Sequence, residues 1–424
     1  MGQIVVLGAG TAGTMAANKL RANLPRGEWQ ITIVDESPTH HYQPGFLFIP
    51  FGTYGPDEVS RPRGATIDDG VRQVMAEIAS VDTAANTVHL TGGRTLPYDY
   101  LVIATGTTPR PDETPGMADD LGGSIHEFYT YEGSVALAEK LKTWQGGRLV
   151  VHVAEMPIKC PVAPLEFAFL AEDFFRTRGM SDDVDITYVT PLPGAFTKPV
   201  AAQHLGSMLD ERAIAVEPDF VVESIDPEAR TLASYDEREV PYDLLVTVPV
   251  NMGADYVARS GLGDELNYVP TDKHTLLAKG HENVFVLGDA SDIPTSKAGS
   301  VAHFAVDVLL ANLRALIDGR PMPESFDGHA NCFVESGRGK GLLIDFSYDV
   351  EPLPGTYPLP TVGPLQLLKE TRANHLGKLA FRWIYWNLLL PGRPIPVPHR
   401  MSMLGKRVPA DVEPELPATI TEKV

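Results

Sequence analysis

The sequence predicts an α/β chain of two Rossmann-like βαβ dinucleotide-binding units followed by an amphipathic helical C-terminal region, and three observations predict it. The chain opens on the short apolar run Gln3 to Leu7, then GAGTAG, then a helical pattern through Met15, Ala16, Ala17 and Leu20. A second alternation of strand and helix begins near Arg148 with LVVHVA and continues through DITYVT and YDLLVTVPV. Beyond Gly319 the character changes to turn-rich stretches, and Leu367 to Leu390 is the last strong helical candidate.

Taken in order, Trp29 to Val34 is the next strand and ends in Asp35; pieces at Val74 to Ile78 and Thr87 to Leu90 precede Tyr100 to Ala104, which runs into TGTTPRP. After the second αβ region, Asn283 to Leu287 is a strand ending in GDAS, and Val301 to Leu316 is a long helix. These shifts predict a division at 1–107, 108–250, 251–330 and 331–424, with the first and third segments forming one dinucleotide-binding domain.

At 424 residues the chain is long enough for two or three domains and a core without disulfide staples. Hydrophobic residues make up 43% and charged residues 21%, which argues against both disorder and a polytopic membrane protein. A net charge of −20 argues against nucleic acid as a partner, because phosphate binding is driven by Lys and Arg. The charge is uneven: from Lys369 to Arg407 eight basic residues stand against one acid, Glu370. No secretory signal pattern opens the chain, and no apolar run approaches the roughly 18 residues that span a bilayer, so a cytoplasmic location is expected. Two cysteines in such a chain are more often inert buried thiols or catalytic groups than a staple.

Gly8, Gly10 and Gly13 form G-x-G-x-x-G between a strand and a helix. The first allows the tight turn, the second lets a pyrophosphate approach backbone N–H groups, and the third packs helix on strand; Asp35 would accept from a ribose hydroxyl. LVIATG, with Thr105 and Gly106, resembles the strand-to-loop segment of flavoprotein reductases with two dinucleotide domains. VFVLGDAS, with Gly288 and Asp289, resembles their second FAD motif, in which the aspartate bonds the ribityl chain. A helix starting near Lys297 or Ser300 would aim its positive end at the flavin. FAD is the predicted cofactor, and the resemblance implies the fold of the disulfide-reductase flavoproteins.

Relatives that use NAD(P)H carry a second glycine motif in the second αβ region. Here the corresponding stretch reads VVHVAEMPIKCPVAPLEF, with prolines 157, 161 and 164 and no glycine, so a nicotinamide donor is not expected. A cysteine, Cys160, stands in its place.

PIKCPVAPLEF, the second cysteine in NCFVE, GDASDIPTSKAGSVAHFAVDV and HHYQPGFLFIPFG together resemble the sulfide:quinone oxidoreductase family over essentially the whole chain. The resemblance implies that Cys160 and Cys332 form a redox pair beside FAD, that hydrogen sulfide is oxidised there to sulfane sulfur or polysulfide, and that two electrons pass to quinone. Lys159 is expected to lower the Cys160 pKa, and Glu166 is a candidate proton carrier or, equally, an acid supporting a helix start. His126 and His204 are candidate bases at the sulfide site, or ordinary packing histidines. A third cysteine that many members carry has no counterpart here. Lys297 and Phe346 are candidates at the quinone site, and no metal is called for.

Leu376 to Leu390, LGKLAFRWIYWNLLL, brings Trp383 and Trp386 within one turn and Lys378 and Arg382 onto one face. With the local basic excess, this predicts a monotopic helix at lipid headgroups, on the cytoplasmic face of the cell membrane. The same pattern also suits a core helix or the seam of a homo-oligomer. Two other enzymes compete: the flavoprotein subunit of a flavocytochrome c-type sulfide dehydrogenase, disfavoured by the missing export signal, and a type II NADH:quinone dehydrogenase, disfavoured by the missing glycine loop.

Overall fold

The computed structural model describes residues 1–395 and 397–408. A first sheet of five parallel strands runs in the order Val284–Val286, Tyr100–Ile103, Gly2–Leu7, Trp29–Asp35 and Arg72–Met75, with Ile4 opposite Ile31 and Val5 opposite Leu101. The apolar centres of these strands are buried, as a sheet covered on both faces requires. α1 (Thr11–Asn23) makes the first crossover. The piece expected at Val74 to Ile78 divides: the chain leaves the sheet after Met75, and Ile78–Asp82 instead begins a three-stranded meander with Thr87–Leu90 and Thr95–Pro97.

The second unit repeats the plan. Its parallel sheet has the order Ile125–His126, Leu244–Val248, Gly147–Val153, Val184–Val189 and Ala215–Glu217. With it go α2 (Tyr131–Thr143), α3 (Ala163–Thr177) and α4 (Pro199–Asp210), and a second three-stranded meander over residues 222–241. Thr107–Arg110 and Val250–Gly253, which carry the chain between the two units, pair antiparallel with each other. α5 (Asp255–Arg259) and α6 (Gly299–Ile317) return to the first unit, where α6 packs beside α1. Leu20, Phe167, Phe304 and Ile344 belong to one continuous core, so the units share an interior.

α6 has a mean hydropathy of 1.5 and the length to cross a membrane, closer to a span than the sequence suggested. Most of it is buried inside the protein, and it carries His303 and Asn312 in the core. It is a core helix.

The last part of the chain departs further from expectation. Ala330–Gly337 and Lys340–Phe346 form a hairpin extended by Leu365–Leu367 and Gly355–Tyr357, so Leu367 ends a strand. The helix starts only at Arg372, where the Thr371 hydroxyl accepts from Asn374 N: this is α7 (Arg372–Ile384), continued by a π-helical turn over Tyr385–Leu389. Its polarity is reversed from that predicted. Asn374 and Lys378 are buried, whereas Leu376 and Trp383 are each 62% exposed, and Trp386 is buried. Half of the eight basic residues are also engaged internally: Lys378, Arg382, Arg400 and Lys406 pair with Glu166, Glu58, Glu324 and Asp345.

Candidate active site

A cavity of about 370 Å³ opens at the C-terminal ends of the first sheet and runs under the second unit. Ligands of doubly wound sheets bind at this edge. Gly8 leaves its strand at φ +90°, and a Cβ there would lie 2.5 Å from the Ala104 carbonyl oxygen. A Cβ on Gly13 would lie 1.9 Å from the Gly8 carbonyl oxygen, while Gly10 faces open space toward the cavity. α1, α3 and α6 all begin at this cavity, and none of the three has a side-chain cap. Their first N–H groups are therefore donors without an intrahelical partner, which suits a pyrophosphate at α1 and a polar ring edge at α6. Asp35 already accepts from Ala9 N at 2.7 Å and Ser37 N at 2.9 Å, with Arg63 at 3.1 Å, and a carboxylate's roughly four acceptor sites leave one for a hydroxyl. Thr105, Gly106, Gly288 and Asp289 line the same cavity. The residues fit FAD.

Two groups the sequence did not single out secure this half. Arg63, buried, donates to the carbonyl oxygens of Ser37, Thr39 and Ala9 and so frames the Asp35 end. His40 joins the glycine loop to the end of α7: Nδ1 bonds the Ala9 carbonyl and Nε2 bonds the Tyr385 hydroxyl at 2.7 Å. Burial, with Arg63 nearby, pushes His40 down to about 3, so the ring is neutral. The carbonyl accepts only, so Nδ1 carries the proton, Tyr385 donates to Nε2, and Thr11 donates to Tyr385 at 2.8 Å.

On the other side, Cys160 sits three residues before α3 with φ +49°, a left-handed backbone that costs a non-glycine residue energy. Three bonds hold it there: its N–H donates to Lys297 O at 2.7 Å, and its carbonyl accepts from Ala163 N and the Tyr129 hydroxyl. Cys332, on Ala330–Gly337, has its sulfur 3.9 Å from the Ser296 hydroxyl. Two cysteines 172 positions apart in sequence are thus tied to the consecutive residues Ser296 and Lys297. Both are free thiols.

Glu166, in the first turn of α3, is fully buried, lines the cavity and accepts from Glu335 N at 2.6 Å and from Lys378 Nζ. Burial pushes its carboxyl above the usual range, and Lys378 opposes this. Burial works against the Lys378 charge in turn, but Glu166, Cys160 and Glu335 outweigh it and raise that pKa. Burial also raises both thiols, Cys332 to about 11; Glu166 adds to the rise at Cys160, and Lys378 opposes it at both. The cation set against the cysteines is therefore Lys378, not Lys159. Lys159 and Lys297 act on Asp289, and Lys297 Nζ is bonded to the carbonyl oxygens of Asp289 and Ser291 above the Tyr268 ring.

The remaining candidates lie apart. His126 ends an edge strand, buried and bonded to Gly123 O, and His204 lies on α4 with its Nε2 unpartnered; neither lines the cavity. Phe346 is buried against Phe196 and Lys198, outside the cavity wall, because its strand turns that side chain toward the α4 side.

Comparison with known proteins places the chain. The family model described as pyridine nucleotide-disulphide oxidoreductase matches residues 2–307. The mitochondrial sulfide:quinone oxidoreductase of Mus musculus is 25% identical over 407 residues, covering 92% of this chain and 86% of that one; the Dictyostelium discoideum protein of the same name is 26% identical over 400 residues with the same coverages. The crystal structure of the Aquifex aeolicus sulfide:quinone oxidoreductase shares the fold, with a TM-score of 0.77 at 21% identity over 93% of this chain and 92% of that one. The type II NADH:quinone oxidoreductase of Staphylococcus aureus is 23% identical, over 81% of this chain and 90% of that one. The chain belongs to the pyridine nucleotide-disulphide oxidoreductase family and is an FAD-dependent oxidoreductase, with sulfide:quinone oxidoreductases among its relatives.

Proposed function

We propose that the chain oxidises sulfide at Cys160 and Cys332 and passes the electron pair through FAD to a membrane quinone. The observation that carries this is that Cys160 lines the flavin cavity, bonded to Lys297 where a nicotinamide loop would otherwise lie, while Cys332, buried behind the cavity wall, is held against the adjacent Ser296. The names of the relatives support the substrate pair.

With Cys160 and Cys332 joined, hydrosulfide breaks their bond. Its sulfur bonds to one cysteine as a persulfide, and the other cysteine leaves as a thiolate with the bonding electron pair. The persulfide proton passes to Glu166, which lines the cavity beside Cys160 and whose carboxyl burial makes a stronger proton acceptor than an exposed one. Lys378 faces both sulfurs and stabilises their anionic forms. Bound FAD supplies a two-electron acceptor for the pair set free when sulfane sulfur departs and the cysteines rejoin.

The membrane contact is apolar rather than basic. Leu376 and Trp383 project from α7, and the exposed Leu359, Val362, Met403 and Leu404 are carried by two loops that meet where Thr356 N donates to Gly405 O. These exposed apolar side chains support peripheral attachment, on the cytoplasmic side in our reading. Steady-state reduction of a short-chain quinone by the FAD-loaded protein, with sulfide or with NADH as donor, tests the proposal. Sulfide is expected to sustain turnover; turnover with NADH alone would favour the type II dehydrogenase instead.

A further inference from the structure

We infer that Glu166, Lys378, Glu335 and His375 form a proton path from the cysteines to solvent along the inner face of α7. The inference rests on the sulfide reading above, which calls for a proton to leave the sulfur side: hydrosulfide gives up one proton and two electrons for each sulfur atom released.

The path begins at the cavity. Glu166 lines it, and its Oε2 is buried without a partner while Oε1 accepts from Lys378 Nζ and Glu335 N. Lys378 Nζ also donates to Phe333 O at 3.1 Å, two residues before Glu335 on the same strand. The Glu335 carboxyl, buried, accepts from His375 Nδ1 at 2.8 Å through Oε2 and keeps Oε1 unpartnered. His375 lies one turn before Lys378 on α7, with its side chain 24% exposed. The four groups thus extend from the cavity beside Cys160 to the surface, with the Lys378 ammonium acting on the Glu335 carboxyl through space rather than through a direct hydrogen bond.

The charge count argues for transport rather than support. One lysine faces two buried carboxylates, so the cluster carries a negative excess unless a carboxyl is protonated or His375 is cationic. Burial raises the Glu335 carboxyl as it does Glu166, with Lys378 opposing. A purely structural pair would gain from satisfying both oxygens of each carboxylate, because an orphaned buried oxygen is costly. A proton carrier needs such an oxygen vacant. Other ionisable groups face the path from neighbouring elements: Tyr54 faces Lys378 and Glu335, Tyr42 and Tyr129 face Glu166, and Cys160 and Cys332 face both Glu166 and Lys378. Arg382, next along α7, is engaged by Glu58.

The test is rapid mixing of the holoenzyme with sulfide in weakly buffered solution, following flavin absorbance from pH 6 to 9. His375→Gln, at the exposed end, is expected to slow bleaching about 100-fold, the low end of the effect of losing a proton-transfer group, and added imidazole is expected to restore it. The solvent deuterium effect should rise in the variant, and reoxidation by quinone should keep its rate. Glu335→Gln should be slowed in the same way. Bleaching by His375→Gln at the unaltered rate, or a slowed rate that imidazole leaves unchanged, would overturn the path and leave the sulfide reading standing. Failure of the unaltered enzyme to bleach with sulfide would overturn that reading and the path with it.

Discussion

Glu166 and Lys378, 212 positions apart, meet in the buried wall between the flavin cavity and α7. The contact joins the second unit, through α3, to the helix whose opposite side bears Leu376 and Trp383. The cavity wall beside Cys160 and the apolar outer side therefore share one helix.

Breaking this pair from one side leaves a buried carboxylate unpaired. Lys378→Met is expected to destabilise the protein by about 3–5 kcal/mol. Without Lys378 nothing comparable opposes the effect of burial, so the folded pKa of Glu166 rises further above its unfolded value. A carboxyl raised on folding contributes stability below its unfolded pKa and loses it as pH rises through the folded one. The deficit should therefore be larger at pH 8 than at pH 5 in denaturant melts, and Glu166→Gln added to Lys378→Met should shrink it. A deficit independent of pH would count against the pairing.

The left-handed backbone at Cys160 predicts an inversion of the usual helix-and-loop preference. Alanine normally stabilises relative to glycine, but at φ +49° a side chain costs about 1–2 kcal/mol. Cys160→Gly should melt above Cys160→Ala, by about 1 kcal/mol in stability, with both inactive toward sulfide. Equal or reversed melting would show that the backbone relaxes when the sulfur is gone.

The glycine loop separates folding from cofactor binding. Gly10→Val adds a side chain that meets no protein atom within 4 Å of its Cβ yet enters the space proposed for the pyrophosphate. It should yield folded protein that loses FAD on desalting, read by flavin absorbance and far-ultraviolet circular dichroism. Gly13→Ala, whose Cβ meets Gly8 O, should impair folding itself.

If lipid contact is apolar, charge on the outer face of α7 should remove it. Leu376→Asp with Trp383→Asp should cost about 3 kcal/mol of partitioning, a drop of roughly 100-fold in vesicle flotation, and high salt should release the unaltered protein little. Strong release by salt alone would restore the basic residues to the leading role.

Much of the flavin half was legible in the sequence because its constraints are local. Gly8, Gly10, Gly13 and Asp35 act within one βαβ unit, and the strand-to-loop segments at Thr105 and Asp289 carry their own composition. Cys160 stood out because prolines surround it where glycines were expected. Long-range partners were not legible. Lys378 looked like a headgroup contact because its neighbours Trp383 and Trp386 suggested a lipid face, whereas the helix is turned so that Asn374, Lys378 and Tyr385 point inward. The 4- and 7-residue spacing of those inward residues was the available signal, but nothing in the sequence says which side of an amphipathic helix meets protein. Arg63, His40 and Glu335 owe their places to tertiary contacts with segments far along the chain. Phe346 fell outside the cavity because strand register sets which side a residue faces.

In the proposed reaction, sulfur chemistry at Cys160 and Cys332 feeds the flavin. Anaerobic rapid mixing of the FAD-loaded protein with sulfide, watching the oxidised flavin band, tests it most directly. Prompt bleaching by sulfide is expected, reversed by quinone, absent with NADH, and lost in both Cys160→Ser and Cys332→Ser while FAD remains bound. Bleaching by NADH, or sulfide-dependent bleaching that survives in either serine variant, would contradict it.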